Sequence, residues 1–514
     1  MYCVKYFGLL QLLDDTFNFE CYSIKSFFIL VSKAESEERT LSYYSPLKTI
    51  LILSSGPLLA QLVEALYGVI GSFWVSRTIG EEGITVYGAV NVIDFLPYAV
   101  SNMLSAGICI RIAYLFGEGK REECSQVFCD FLRIAVIAGL VLPAIVLPSV
   151  KPLIKWFGSD DHIANKCFQY MIPSTCGSTF NNLYLCACGL LQACGHPYLY
   201  GFMQVLTCVL SGLVFDPILL VWLKLPIWSA SLASILAQTI SAGILLIMTF
   251  CGKLSINPEL KMLIKKPSRE SWMGFKLSIS SFLGSLGYFL PIVVIQKYIN
   301  QAANRIGKYN VIMAIWGINE KINQIVGAFC GGFQTGLVPG CSYAFGAKRL
   351  NRMVRIFFHS LWIPTIIVTL ISVVLIFAPD KVSSIWSKDP EFLHWSKILV
   401  PRIYYLTFLF PIQYVAVGFI MSMQRERLAA ILSFISYLFP LPIYSSVLYY
   451  SKKNDPARIF YSYPLMDITA SIIFVIAIIS PVRKALKEPK DELLTKNSLL
   501  NNEELKTAPL ITVD

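Results

Sequence analysis

Charge is what this sequence has least of. Only 15% of its 514 residues are Asp, Glu, Lys or Arg, and four are histidine. Soluble globular chains carry about 25% charged residues, so this chain lacks the polar coat that a water-soluble fold of its length needs. The phosphate-cradling GxxxxGKS pattern is missing too, as are HExxH and GxSxG. Without the first, the chain by itself has no means of driving work with ATP. Without the others, and with His162, His196, His359 and His394 far apart, no metal or nucleophile marks an enzyme. The strict alternation over about 10 residues that builds the strands of a membrane barrel is absent. The 14 cysteines do not amount to a disulfide framework or a zinc site. Most lie inside apolar stretches, where they behave as small hydrophobes, and Cys186 and Cys188 are too close for a CxxC pair.

Apolar runs fill the space left by charge. Apolar residues make up 55% of the chain, the mean hydropathy is +0.60, and stretches of about 20 residues, the length that crosses a bilayer as helix, recur from Leu47 to Pro481. Turn and charge signals divide them into twelve predicted helices: 47–78, 84–113, 126–149, 163–189, 197–222, 228–251, 272–300, 308–340, 354–378, 392–422, 427–450 and 459–482. Several are long enough to require tilt, and Pro57, Pro97, Pro173, Pro291 and Pro411 are expected kink sites. The net charge of +11 does not point to nucleic acid, because its cations sit beside the apolar runs. Lys253, Lys261, Lys265, Lys266, Arg269 and Lys276 form one cluster, Lys348, Arg349, Arg352 and Arg355 another, and Arg483, Lys484, Lys487 and Lys490 a third. By the positive-inside rule these connections and both termini face the cytosol.

An internal duplication orders the helices. Shifting the chain by 229 residues superposes Gly88 on Gly317, Gly107 on Gly336, Gly117 on Gly346 and Gly189 on Gly418, together with Phe116 on Phe345, Lys120 on Arg349, Phe128 on Phe357 and Asp160 on Asp389. Six helices per repeat is an even number, so both halves insert with one orientation. Parallel repeats of this kind are a transporter signature, with the substrate held near the midplane. The expected architecture is an all-α polytopic membrane protein of two pseudo-symmetric six-helix bundles. Residues 1–45 form a cytosolic extension, 46–252 an N-lobe, 253–271 a basic linker, 272–485 a C-lobe and 486–514 a polar tail.

Particular segments add a family. Gly189–Tyr198 (GLLQACGHPY), Phe215–Ile218 (FDPI) and Pro226–Gln238 (PIWSASLASILAQ) resemble the fifth and sixth helices of the multidrug and toxic compound extrusion transporters. Arg77–Gly80 (RTIG), Leu115–Gly119 (LFGEG) and Pro339–Arg349 (PGCSYAFGAKR) look like that family's first helix end and its two equivalent loops. The resemblance covers about residues 46 to 485. It implies efflux of small organic, chiefly cationic, drugs or toxins coupled to proton or sodium entry. It implies no other cofactor and no partner beyond substrate and bilayer, and a monomer is expected. Lipid and oligosaccharide flippases share the architecture and are the alternative. The resemblance also implies a cation cluster in the N-lobe. Asp216 matches its helix 5 aspartate and Ser234 its hydroxyl, while the helix 1 aspartate position reads Gly71 and an asparagine position reads Gly212.

Charge inside hydrocarbon selects candidates independently, because each ionised group there costs roughly 3 kcal/mol or more and needs a reason. The predicted spans contain Glu64, Asp94, Asp130, Asp216, Glu320 and Asp467. Asp216 precedes Pro217, so it is either the coupling carboxyl or a kink cap. Glu64 lies two turns before Gly71 on the same face, as a stand-in for the missing acid or a structural acid. Asp94 follows Asn91 by one turn, and the repeat maps these two onto Asn323 and Glu320. Each half thus keeps one acid and one amide on its second helix, either facing a substrate cavity or acting as polar glue. Asp130 has Arg133 three residues on and reads as a local ion pair. Asp467 reads as a shallow structural acid.

Overall fold

The structure, a computed structural model, describes residues 39–156, 160–254 and 256–487. Most of the expected extension and nearly all of the polar tail lie outside that range. Twelve long helical segments run through it, beside short pieces at Arg39–Tyr43, Leu260–Leu263 and Pro379–Ser383: α1 Pro46–Ile79, α2 Glu81–Gly117, α3 Arg121–Trp156, α4 161–193, α5 197–222, α6 Trp228–Phe250, α7 Arg269–Arg305, α8 Tyr309–Gly346, α9 Leu350–Phe377, α10 390–422, α11 426–451 and α12 456–487. Ten are long and apolar enough to cross a membrane. The exceptions, α4 and α8, are largely covered by other helices, so their outer faces need not match lipid.

The breaks within helices repeat in register. α4 divides at Gly177, one turn after Pro173, and α10 divides at Tyr405 and Leu406. α5 turns from α- to π-helix at Leu210, and α11 is interrupted at Phe439 before Pro440. Pro57, Pro97 and Pro291 sit inside continuous helices. Loops repeat as well. Gly119 and Lys348, which correspond, are both left-handed (φ 78° and 58°), and so are Gly195 and Gln424 (78° and 57°). Asp160 and Asp389 cap α4 and α10 through the amides of Ile163 and Phe392, a contact worth about 1 kcal/mol each.

Within the N-lobe α1 packs on α5 and α2 on the second piece of α4. The C-lobe repeats this with α7 on α11 and α8 on the second piece of α10. The lobes meet through α1 on α8, α2 on α7 and α2 on α8. Register-matched glycines make these crossings possible. A Cβ added to Gly336 would lie 2.3 Å from Ser54 Oγ, and one on Gly107 would lie 1.8 Å from Ser278 Oγ. At the end next to the basic loops, a Cβ on Gly117 would fall 2.2 Å from Tyr343 O, and one on Gly346 would fall 2.2 Å from Tyr114 O. Ile50, Cys109 and Ile110 join Leu277, Leu337 and Cys341 in a core shared by both lobes. Farther from the basic loops each lobe keeps its own core, and Gly68, Gly88, Gly317 and Gly327 face open space. The lobes are therefore closed at the basic face and parted at the other.

Candidate functional site

Asp216 sits where α5 is least regular. Pro217 has no amide to donate and its ring crowds the preceding turn, and the chain takes a π-helical course from Leu210 to Phe215 and from Pro217 to Trp222. Turns of this kind cluster at functional positions. The Trp74 indole of α1 donates to the Gly212 carbonyl at 2.8 Å. Asp216 is 2% exposed, and its Oδ1 has no hydrogen-bond partner among the described residues. Beside it the Tyr67 hydroxyl bridges Ser211 Oγ (2.9 Å) and Ser234 Oγ, fastening α1 to α5 and α6. A Cβ on Gly71 would stand 3.0 Å from the Tyr87 hydroxyl, and one on Gly212 would stand 2.9 Å from Ile70. The two departures from the family cluster are thus filled by neighbours. Phenols lie within electrostatic reach of this buried carboxyl, one of them held by two serines, an arrangement able to take up and release a proton or to offer oxygen ligands to a small hard cation.

The other sequence candidates divide. Asp94 accepts from Ser174 Oγ at 2.5 Å. The edge-to-face pair Tyr87 and Tyr170 (6.1 Å) lies within electrostatic reach of both Asp94 and Asp216, so these two acids share the N-lobe interior. Glu64 does not join them. It is exposed and faces Tyr98 of α2, whose other partner, Asn102, borders the space between the lobes. The Asn91 side chain lies outside the described residues.

That space is a cavity of about 320 Å³ between α2 and α4 on one side and α7, α8, α10 and α11 on the other. Its polar groups are Asn102, Gln192, Gln334, Thr335 and serines of α7 and α11, with Phe95, Tyr414 and Tyr437 as aromatic wall, and among the described residues no charged side chain lines it. Glu320 and Asn323, expected in a substrate cavity, are not part of it. Glu320 precedes Gln334 by 14 residues along α8, about 21 Å at 1.5 Å per residue. At that height α8 faces into its own lobe. There Glu320 and Asn323 border a separate cavity of about 30 Å³ together with Asp467. Asp467 is not shallow: it is 4% exposed and accepts from Gln413 Nε2 at 3.2 Å.

Charged contacts close the basic face. Arg111 of α2, 7% exposed, pairs with Glu270 at the start of α7 and donates to Gln424 Oε1 at 2.7 Å. Sequence reasoning weighed the acids within spans and passed over Arg111, although the same burial cost marks a buried base. Asp130 pairs with Arg133 as expected and does more. It accepts from Ser268 N (2.8 Å) and Ser271 Oγ (2.5 Å) at the head of α7. On the other side Arg352 of α9 donates to the carbonyls of Leu41 and Tyr44 and to Thr49 Oγ1, holding the entry to α1. In each lobe, then, the third helix grips the first helix of the other. Asp130→Ala strands the Ser268 amide and leaves Arg133 only the Lys265 carbonyl, at about 2–4 kcal/mol. A fall of several degrees in the thermal midpoint of the detergent-solubilised protein checks this.

Comparison with known proteins fits this geometry. The Multidrug export protein MepA of Staphylococcus haemolyticus is 21% identical over 347 residues, 67% of this chain and 74% of the relative. An FAD transporter of Shewanella oneidensis is 18% identical over 359 residues, 68% and 77% of the two chains. Among solved structures, a MOP superfamily transporter from Pyrococcus furiosus superposes with a TM-score of 0.79 at 17% identity, covering 88% of this chain and 98% of that one. An outward-facing multidrug resistance MATE family transporter gives the same figures. The MatE family model matches residues 58–218 and 312–444, one stretch in each lobe and together more than half the chain. Two six-helix lobes, closed at one face around a central cavity and matched by that model, make this chain a member of the MatE family of membrane transporters.

Proposed function

We propose that the chain exports small organic molecules, cationic drugs or toxins above all, in exchange for protons or sodium, with Asp216 as the coupling carboxyl. One observation carries this reading: a carboxyl 2% exposed, with an oxygen unpartnered, placed among hydroxyls at a proline-broken helix inside one lobe. A bare buried carboxylate is costly, so the group exchanges a cation when the site opens. The substrate occupies the 320 Å³ cavity between the lobes, where aromatic faces suit a flat cation and neutral amides and hydroxyls suit varied partners. Rocking of the lobes alternates access. With the basic loops in the cytosol, the closed basic face makes this the outward-facing state. Among the described residues no Lys or Arg lines the cavity, which disfavours a pyrophosphate-bearing lipid as cargo.

Ethidium efflux from cells expressing the chain tests the proposal. Export should stop when the coupling gradient collapses, and varying sodium and pH separately names the ion. No export under any gradient, with the protein present in the membrane, would turn the reading toward a flippase. Tyr67→Phe removes the bridge between Ser211 and Ser234 while keeping the ring. It should slow efflux about tenfold, a coupling loss of about 1.4 kcal/mol, with unchanged surface expression.

A further inference from the structure

We propose that Ser42 is a phosphorylation site, and that Arg349 and Arg352 clamp its phosphate across the seam between the lobes. The effect on transport rests on the rocking motion and the cytosolic basic face proposed above. The clamp itself does not. Ser42 lies in the turn Arg39–Tyr43, which leads into α1 of the N-lobe. The two arginines belong to the C-lobe. Arg349 Nη1 donates to Ser42 Oγ at 2.8 Å. Arg352 holds carbonyls before and after it, Leu41 O at 2.9 Å and Tyr44 O at 2.7 Å. The turn is thus a strap from one lobe fastened to the other by two cations.

The duplication shows what these cations lack. In the N-lobe copy of the loop, Lys120 pairs with Glu118 at 3.0 Å, and α3 opens with Glu122 and Glu123. The 229-residue shift sets Arg349 on Lys120, but Ala347 on Glu118, Asn351 on Glu122 and Arg352 on Glu123. The C-lobe copy keeps its cation, gains another and loses all three acids. Its α9 has no acid in the first turn, where the helix dipole favours one. The groups that act electrostatically on Arg352 are Arg349, Tyr343 and Cys341, a like charge and two groups ordinarily neutral near pH 7. Among the described residues neither arginine has a carboxylate partner, and Arg352 Nε is buried with no partner at all. Two guanidiniums that repel each other beside a serine hydroxyl form a receptor for a dianion on that serine. A phosphate brings nearly two negative charges and three acceptor oxygens, and arginine forks match it.

The modification uses ordinary chemistry. Ser42 Oγ attacks the γ-phosphorus of ATP held by a protein kinase. The new O–P bond forms as the bond to the β–γ bridging oxygen breaks, ADP leaves, and the hydroxyl proton passes to the base of the kinase. Ser42 is half-buried and its neighbour Tyr43 is 64% exposed, so the hydroxyl is reached when the strap lifts. Arg39, three residues before it, offers a charge for a kinase groove to read. Once added, the phosphate replaces a neutral hydrogen bond by charge-assisted ones. The strap then resists parting of the lobes at the basic face, and transport slows in the outward-facing state.

Full-length chain made with phosphoserine at position 42 tests the clamp without any drug. In maltoside micelles, which contain no phosphorus, phosphorus NMR follows the second ionisation of the phosphate, which when free falls at about pH 6. Two facing cations favour the dianion, so the midpoint should drop by about one unit. Arg349→Gln, which keeps a donor for Ser42 and so the strap, should return it at least halfway. An unshifted midpoint in the folded chain overturns the clamp. It would mean that the arginines are already balanced, Glu35, Glu37 and Glu38 being the acids nearest Ser42 in sequence. In proteoliposomes the phosphorylated chain should move ethidium about tenfold more slowly than Ser42→Ala, and Arg349→Gln should restore the rate. Equal rates with a shifted midpoint would overturn the effect on transport. If no form moves ethidium, the proposed function fails and the midpoint still decides the clamp. Mass spectrometry of the chain from its own cells should find phosphate on Ser42 in the tryptic peptide Thr40–Lys48. That peptide recovered without phosphate under every growth condition would overturn the modification.

Discussion

Efflux falls to the level of cells lacking the transporter when Asp216 becomes Asn. The substitution keeps the size of the side chain and its capacity for hydrogen bonds, and removes only ionisation. The Tyr67 bridge and the π-helical course of α5 do not involve the Asp216 carboxyl directly, so the variant should fold and reach the membrane. What it loses is the coupling free energy between cation and substrate, which for linked sites is about 1–3 kcal/mol or about 5–150-fold. The expected loss in initial efflux rate is about 100-fold, at expression equal to wild type on an immunoblot of the membrane fraction. Efflux within about twofold of wild type would remove Asp216 from the coupling role.

A second substitution acts on the gate. Removing Glu270 as Ala takes from Arg111, 7% exposed, its one direct ion pair and leaves it the neutral Gln424, the Tyr114 ring and the more distant carboxylates of Glu118 and Glu123. Breaking one side of a buried pair costs about 3–5 kcal/mol. That cost falls on the state in which the basic face is shut, because parting of the lobes would give the guanidinium water. Even about 3 kcal/mol shifts the equilibrium more than about 100-fold toward opening at the basic face. Spin labels in the loops after α2 and α8, measured by double electron–electron resonance, should move from a short to a long separation. An unchanged distance distribution would mean that the apolar core and the glycine crossings hold the face shut unaided.

The architecture was legible because hydrophobic length and loop charge are local properties. The predicted 197–222 is the observed α5, and most other ends agree within a few residues. Duplication was legible as glycine register, and the crossings at Gly107, Gly117, Gly336 and Gly346 supply its physical reason. The sites were less legible because they depend on which helix faces which. Asp216 stood out by its proline and its motif. Tyr67 lies one turn before Gly71, and that spacing marks it only once Tyr87 is seen to fill the space at Gly71. Glu320 and Asp467 border one cavity although they stand 147 positions apart, and no periodicity within one helix reports such a neighbourhood.

The reciprocal crossing of α2 and α8 carries a further consequence. Gly117 meets the Tyr343 carbonyl, Gly346 meets the Tyr114 carbonyl, and the 229-residue shift exchanges one pair for the other. That is an isologous contact, the kind made by two identical subunits around a two-fold axis. The seam between the lobes thus has the form of a homodimer interface with a covalent linker added. The linker sets proximity and not shape, so the two halves produced as separate polypeptides retain the complementary surface on which to reassemble.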